Sequence, residues 1–199
     1  STHETIWLGS GASGNHRSKG LKIYNYDGGI IKTTGTGDSP IKAFHVVDFE
    51  FVNYKGGTIE GADRHAVNIE QSQDINFTNH GTITAADKSV LYCKTCSDVT
   101  FINTGTMSGG NNAVVISHGD NTTITNSGTI TATAANSGMS INQSDGTVVT
   151  NTGTISGVGM GMQSSNVDNS TITNYGTISA SNNTGYGILY ENDGTNRVN

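Results

Sequence analysis

Seven aspartates recur at the same point of a repeating pattern: Asp48, Asp74, Asp98, Asp120, Asp145, Asp168 and Asp193. At a chain corner, an aspartate carboxylate can accept backbone N–H bonds in an Asx-turn. Stacked one above another, the same carboxylates would form an acidic stripe. Its members, about 5 Å apart, would repel one another unless a hard cation such as calcium screened them. On that second reading Asp74, Asp98, Asp120, Asp145 and Asp168 are the candidate ligands. The Gly-Gly-x-Gly-x-Asp nonapeptide of calcium-loaded β-rolls is absent. The turn role is therefore the expected one, and no cofactor is expected.

Cys93 and Cys96 are the only cysteines, within Tyr-Cys-Lys-Thr-Cys. Two thiolates cannot complete a zinc site, and no second Cys-x-x-Cys or His-x-His accompanies them. A redox pair belongs at a helix start in an α/β fold, and this chain has no helical pattern. A local disulfide, free thiols and a metal or redox pair are the three readings of the motif. The six histidines (His3, His16, His45, His65, His80, His118) show no metal-ligand spacing and suit solvated turns or edges. One acid–base mixture occurs, Glu60, Asp63, Arg64, His65 and Glu70. Structural salt bridging is expected there rather than catalysis, and no Ser/His/Asp set can be argued from spacing.

Charge and aromatic content are lopsided. Nine of the ten Lys and Arg residues lie in 1–94, where ten acids leave a balance of −1. From residue 95 onward, Arg197 against six acids gives −5. No basic stripe is expected, so nucleic acid and heparin-like polyanions are poor candidate partners. Trp7, Tyr24, Tyr26, Phe44, Phe49, Phe51, Tyr54, Phe77 and Tyr92 all precede residue 95. Aromatic residues and arginine dominate binding energy at interfaces. The expected binding surface is therefore in the early coils, at exposed positions among Arg17, Lys42, Lys55, Arg64 and Lys88.

These residues must be held by a repeat. Gly-Thr-Ile or a near variant begins at Gly57, Gly81, Gly105, Gly128, Gly153 and Gly176, at intervals of 24, 24, 23, 25 and 23. A degenerate copy, Gly29-Ile30-Ile31, precedes them by 28 residues. Such periods mark solenoids. Each unit divides into three short β-type runs, among them Ala66–Glu70, Val90–Lys94 and Gly187–Glu191 for the second, and Ile75–Asn79 and Ser170–Asn174 for the third. Three strands and no helix per unit predict a three-sided parallel β-helix of about seven coils, each rising about 4.8 Å. Residues 1–28 are expected to form a cap or irregular first coil, with repeats from 29 to 199, truncated at the carboxyl end. The register predicts Ile59, Ile83, Met107, Ile130, Ile155 and Ile178 stacked inside. Asn79, Asn103, Asn126, Asn151 and Asn174 stand two residues before the repeated Gly. Stacked, their amides can bond along the column and satisfy groups costly to bury unpaired. The Gly is expected to supply a corner with positive φ.

The Asn-x-Gly-Thr-Ile/Met-Ser/Thr beat from Asn79 through Ser179 resembles the passenger domains of type V autotransporters. The resemblance implies a right-handed, pertactin-like or pectin-lyase-like β-helix, exported across the outer membrane through a carboxyl-terminal barrel that is absent from this chain. Export makes a Cys93–Cys96 disulfide the expected state. The resemblance is specific for fold and secretion route, not for activity. Because the periodic scaffold shows no catalytic constellation, the expected role is a secreted or surface-displayed virulence factor of the adhesin class, not an enzyme. Its partner would be a host or bacterial surface protein or glycan. The alternatives are a soluble mimic of a host signalling ligand and a carbohydrate-active enzyme of the lyase or tailspike type.

Overall fold

Short runs that alternate Ile, Val or Thr with small polar residues favour strands, and a solenoid lets each strand pair with its copies one repeat away. A computed structural model describes residues 6–9, 17–35 and 37–191. It consists of strands and turns wound into about seven coils, with three parallel sheets along the sides. The first sheet holds the Gly-Thr-Ile strands, from Ile30–Lys32 and Thr58–Gly61 to Thr177–Ala180. The second begins with Ile6–Gly9 and Ile41–Phe44 and ends with Tyr186–Glu191. The third includes Lys22–Asn25 and Val46–Asn53 and ends with Thr171–Asn174.

Inward side chains form files that run the length of the interior. Ile59, Ile83, Met107, Ile130 and Ile155 are fully buried and in register, and Ile178 continues the file half-buried at its end. On the third sheet Phe51, Phe77 and Phe101 stack with ring centroids 4.5 and 5.4 Å apart. That file continues as Ile124 and Val149, so its aromatic part is confined to the early coils. Each buried aromatic or aliphatic side chain contributes roughly 1.5–3 kcal/mol from area removed from water.

At the corner from the third sheet to the first, the asparagine file is continuous and longer than the sequence spacing showed. The Nδ2 of each residue donates to the Oδ1 of the next through Asn25, Asn53, Asn79, Asn103, Asn126, Asn151 and Asn174, at 2.7–2.8 Å. Each amide also lies within hydrogen-bond reach of a carbonyl near its own corner glycine, as Asn103 does with Gly105. In the first two coils Asn25 and Asn53 stand four residues before the repeated glycine, because a two-residue turn with positive φ at Gly28 and Gly56 is inserted.

The repeated glycine serves a purpose other than the expected one. Gly81, Gly105, Gly128, Gly153 and Gly176 do not have positive φ. A Cβ on Gly105, Gly128, Gly153 or Gly176 would fall 2.1–2.2 Å from the carbonyl oxygen of the corner glycine one coil below. The column is glycine because adjacent backbones touch there.

Positive φ is concentrated at the next corner but one, between the second and third sheets. His45 and Asp48, Gln71 and Asp74, Thr95 and Asp98, His118 and Asn121, Gln143 and Gly146, and Asn166 and Asn169 bracket it, with φ from +49° to +66°. The paired reversals turn the residue after the first of each pair inward, so Val46, Ser72, Cys96, Ser144 and Val167 are buried.

Candidate binding groove

The remaining corner, from the first sheet to the second, varies most between coils, with connections at 33–40, 62–66, 86–90 and 110–113. These loops wall one side of a cleft on the outer face of the second sheet, with a volume of about 620 Å³. Its floor comes from alternate, outward positions of adjacent strands: Lys42, Asn68, Tyr92 and Val115 are in direct register, and Glu70 lies beside Lys94. Arg64, His65, Lys88, Asn111 and Asn112 reach it from the loops.

The cleft is basic in a chain whose net charge is −6. Winding assembles a basic strip that the sequence does not display, which removes the ground for discounting heparin-like polyanions as partners. Arg64 and Lys88 are 24 residues apart, one coil, so winding places them on adjacent rungs. Among the described residues neither they nor Lys94 has a carboxylate within ion-pair distance; the one such pair is Lys22 with Glu50, at 2.7 Å. Glu70 accepts a bond from the Asn68 amide at 2.9 Å.

An aromatic wall stands between the cations. The His65 and Tyr92 rings stack nearly parallel, centroids 4.4 Å apart and planes inclined by 13°. His65 Nδ1 accepts the Ser89 N–H at 3.3 Å. Burial, and then the positive charges of Lys88 and Arg64, push the imidazole down to about 4, so it is neutral near pH 7. The ring is thus a flat, uncharged donor and packing surface.

Of the five basic residues expected from sequence to form a binding surface, the fold brings Lys42, Arg64 and Lys88 together and separates the other two. Arg17 borders a different concavity with His45, Gln71 and His118, and its guanidinium donates to Gln73 Oε1. Lys55 sits in the Tyr54–Gly57 turn, away from the cleft but next to Tyr54, whose ring stacks on Tyr26 at 4.9 Å. Lys94, placed only by the coil register, joins the cleft although no local pattern marks it. The mixed acid–base set divides: Glu60 lies on the first sheet, the Asp63 carboxylate accepts the Gly37 N–H at 2.7 Å, and Arg64, His65 and Glu70 line the cleft. Among the described residues the expected salt bridging within the set is not formed.

The aspartates form two files instead of one. Register places Asp48, Asp74 and Asp98 in line, but that line continues as Asn121, Gly146 and Asn169. Asp120, Asp145 and Asp168 stand one residue earlier, in line with Ser97 and Gln73. Their carboxylates cap the neighbouring coil: Asp120 accepts the Asp145 N–H at 3.3 Å and Asp145 accepts the Asp168 N–H at 2.9 Å. Among the described residues, no group of three or more His, Cys, Asp or Glu side chains could hold a metal ion. Asp193, His3 and His16 lie outside the described residues.

Cys93 and Cys96 form a disulfide with Cα atoms 5.9 Å apart, and both residues are buried. Cys93 is flanked in sequence by the cleft residues Tyr92 and Lys94, so the bond runs from beneath the cleft floor to Cys96, which borders the concavity that holds Arg17. No family model, no curated protein and no solved structure matches the chain.

Proposed function

We propose that this chain is an extracellular binding scaffold, a passenger-type β-helix of an autotransporter displayed on or released from a bacterial surface. In this reading it acts in the adhesin class by holding a component of a host or neighbouring cell. The observation that carries the reading is the cleft, where Lys42, Arg64 and Lys88 converge around the stacked His65–Tyr92 pair. A convergent set of cations and aromatics on a rigid sheet is pre-organised, so little ordering cost opposes binding. Two further features support an extracellular setting: the Asn-x-Gly-Thr-Ile repeat and a buried disulfide, a bond that persists in oxidising compartments.

The test is adhesion of the purified chain to immobilised host-cell and bacterial surfaces. Parent protein is compared with an Arg64→Glu/Lys88→Glu variant and with charge changes at Gln163 and Asn142 in the late coils. Binding lost only in the first variant supports the reading. Binding insensitive to the cleft, or chain cleavage of any polysaccharide in the assay, overturns it.

A further inference from the structure

We infer that the cleft takes an acidic polysaccharide, a linear glycan bearing carboxylate or sulfate groups, laid along the solenoid axis. This rests on the cleft being the binding site proposed above and specifies the ligand class.

The axis direction follows from the lining. Contributions come from four consecutive coils, represented by Ser39, Arg64, Lys88 and Asn112, so the cleft runs across the strands for about 14 Å. A polymer of repeating units suits a surface that itself repeats at each coil. Arg64 and Lys88, one coil apart and free of ion-pair partners among the described residues, supply two anion contacts on one wall. Lys42 and Lys94 add positive charge at the floor, where Glu70 supplies the one carboxylate among the described lining residues.

The rest of the lining selects sugar over peptide. An extended peptide gains most of its affinity by hydrogen-bonding to exposed strand edges. In the floor of this cleft the backbone groups are already used in the coil-to-coil ladders, from Ile41–Phe44 through Val67–Glu70 and Leu91–Lys94 to Val114–Ser117. A ligand must therefore be held by side chains. Those present include the amides of Asn68, Asn111 and Asn112, which can exchange donor and acceptor bonds with sugar hydroxyls. The flat His65–Tyr92 pair offers its apolar surface to the C–H face of a pyranose ring. A nucleic acid would also satisfy the cations, but two stacked rings already paired with each other leave little platform for successive bases.

The experiment is direct binding to immobilised full chain, by calorimetry or surface plasmon resonance, with five probes: an unsulfated uronate polymer, a sulfated uronate polymer, neutral dextran, poly-glutamate and a single-stranded oligonucleotide. Either acidic glycan should bind at least tenfold tighter than the other three probes, and the better of the two identifies the anion. Arg64→Gln with Lys88→Gln should weaken that binding at least tenfold. Tyr92→Ala should do the same, while Tyr92→Phe should retain it, with melting temperature checked for each variant. Lys19→Gln with Lys22→Gln, an equal loss of two charges on the third sheet, should leave it intact. Preference for dextran, poly-glutamate or the oligonucleotide overturns the ligand class even if cleft variants abolish adhesion. Acidic-glycan binding equal in all variants overturns the site. No binding of any probe, with adhesion still dependent on the cleft, also overturns the glycan assignment but leaves the scaffold reading standing.

Discussion

Two corners of the coil solve the same problem by opposite means. Between the third and first sheets the chain turns with glycine and a buried asparagine, and neither has freedom: the glycine lies against the backbone below, the amide bonds to the coils above and below. Between the second and third sheets the chain turns with paired left-handed residues of many types, His, Gln, Thr, Asp and Asn, largely in contact with solvent. The first corner is fixed by glycine and asparagine side-chain constraints between coils. At the second, backbone torsion sets the turn, and the coils are joined there by main-chain bonds and by carboxylates such as Asp120 and Asp145. A strict column in a solenoid therefore marks inter-coil contact. Variation marks places where only local geometry must be met, and the third corner, the most variable, is the one that builds the cleft.

The comparison breaks most easily at Gly128. Alanine there would set its Cβ 2.1 Å from the Gly105 carbonyl oxygen, backbone against backbone, where no side chain can move aside. Separating two coils at that point disturbs packing on all three faces, so a loss of about 3–5 kcal/mol is expected. Thermal unfolding followed by circular dichroism measures it. A melting temperature within two degrees of the parent would show that the corner is not in contact and would dissolve the distinction.

The asparagine file should rank next, and its two ends give the control. Asn103 is fully buried; removing its amide by Asn103→Ala orphans the Asn126 Oδ1 and the Asn79 donor, at a cost of about 2–4 kcal/mol. Asn174 is exposed at the last rung, with a ladder bond on one side. Asn174→Ala should cost less than about 1 kcal/mol. Equal losses at the two positions would mean that the file is not acting as a ladder.

Much of this corner was legible because its constraint is written as identity: the same residues return every 23 to 25 positions. The coil count, the three sheets and the interior isoleucine file follow from that period. Three things were not legible, each for a physical reason. Asn25 and Asn53 escaped because a two-residue turn shifts them away from the glycine while leaving their amides in line. The strand Met160–Ser165 escaped because a parallel ladder tolerates Gly, Met and Ser once neighbours on both sides template it. The aspartates read as one file because a one-residue offset is invisible without register. The cleft was only half legible. Arg64 and Lys88 show the coil spacing, but Lys94 and Tyr92 become its neighbours through pairing that sequence proximity does not display.

The variable corner makes its own prediction through His65, whose imidazole is held at about 4 by burial and by Lys88 and Arg64. In the unfolded chain the same ring titrates near 6.5. Between these values the unfolded state binds more protons, so stability is fully present above about pH 6.5 and declines as pH falls towards 4. With part of the ring in contact with solvent, the loss over that window should be about 1–2 kcal/mol. Denaturant titrations at pH 7.5 and pH 4.5 measure it, and His65→Phe should flatten the slope. An unchanged slope in that variant would assign the pH dependence elsewhere.

The smallest effect carries the opposite sign. Thr95 turns the second corner at φ +55°, a conformation that costs a β-branched residue roughly 1–2 kcal/mol relative to glycine. Its side chain is exposed, and its N–H donates to the Ser117 carbonyl of the next coil at 2.8 Å, a bond that glycine keeps, so the change in torsional strain dominates the outcome. Glycine would relieve that strain and give back about 0.5–1 kcal/mol through the greater freedom of the unfolded chain. Thr95→Gly should therefore be neutral to stabilising, by up to about 1 kcal/mol. The adjacent Cys93–Cys96 disulfide already restrains the unfolded chain at this point, which reduces the entropic penalty and favours the stabilising side. Measured beside Gly128→Ala, the substitution puts both corners on one scale: adding a methyl group at one should destabilise the coil strongly, while deleting a whole side chain at the other should cost nothing. A clear loss of stability in Thr95→Gly would show that the second corner also depends on side-chain contact, and that its variety of residues conceals a constraint.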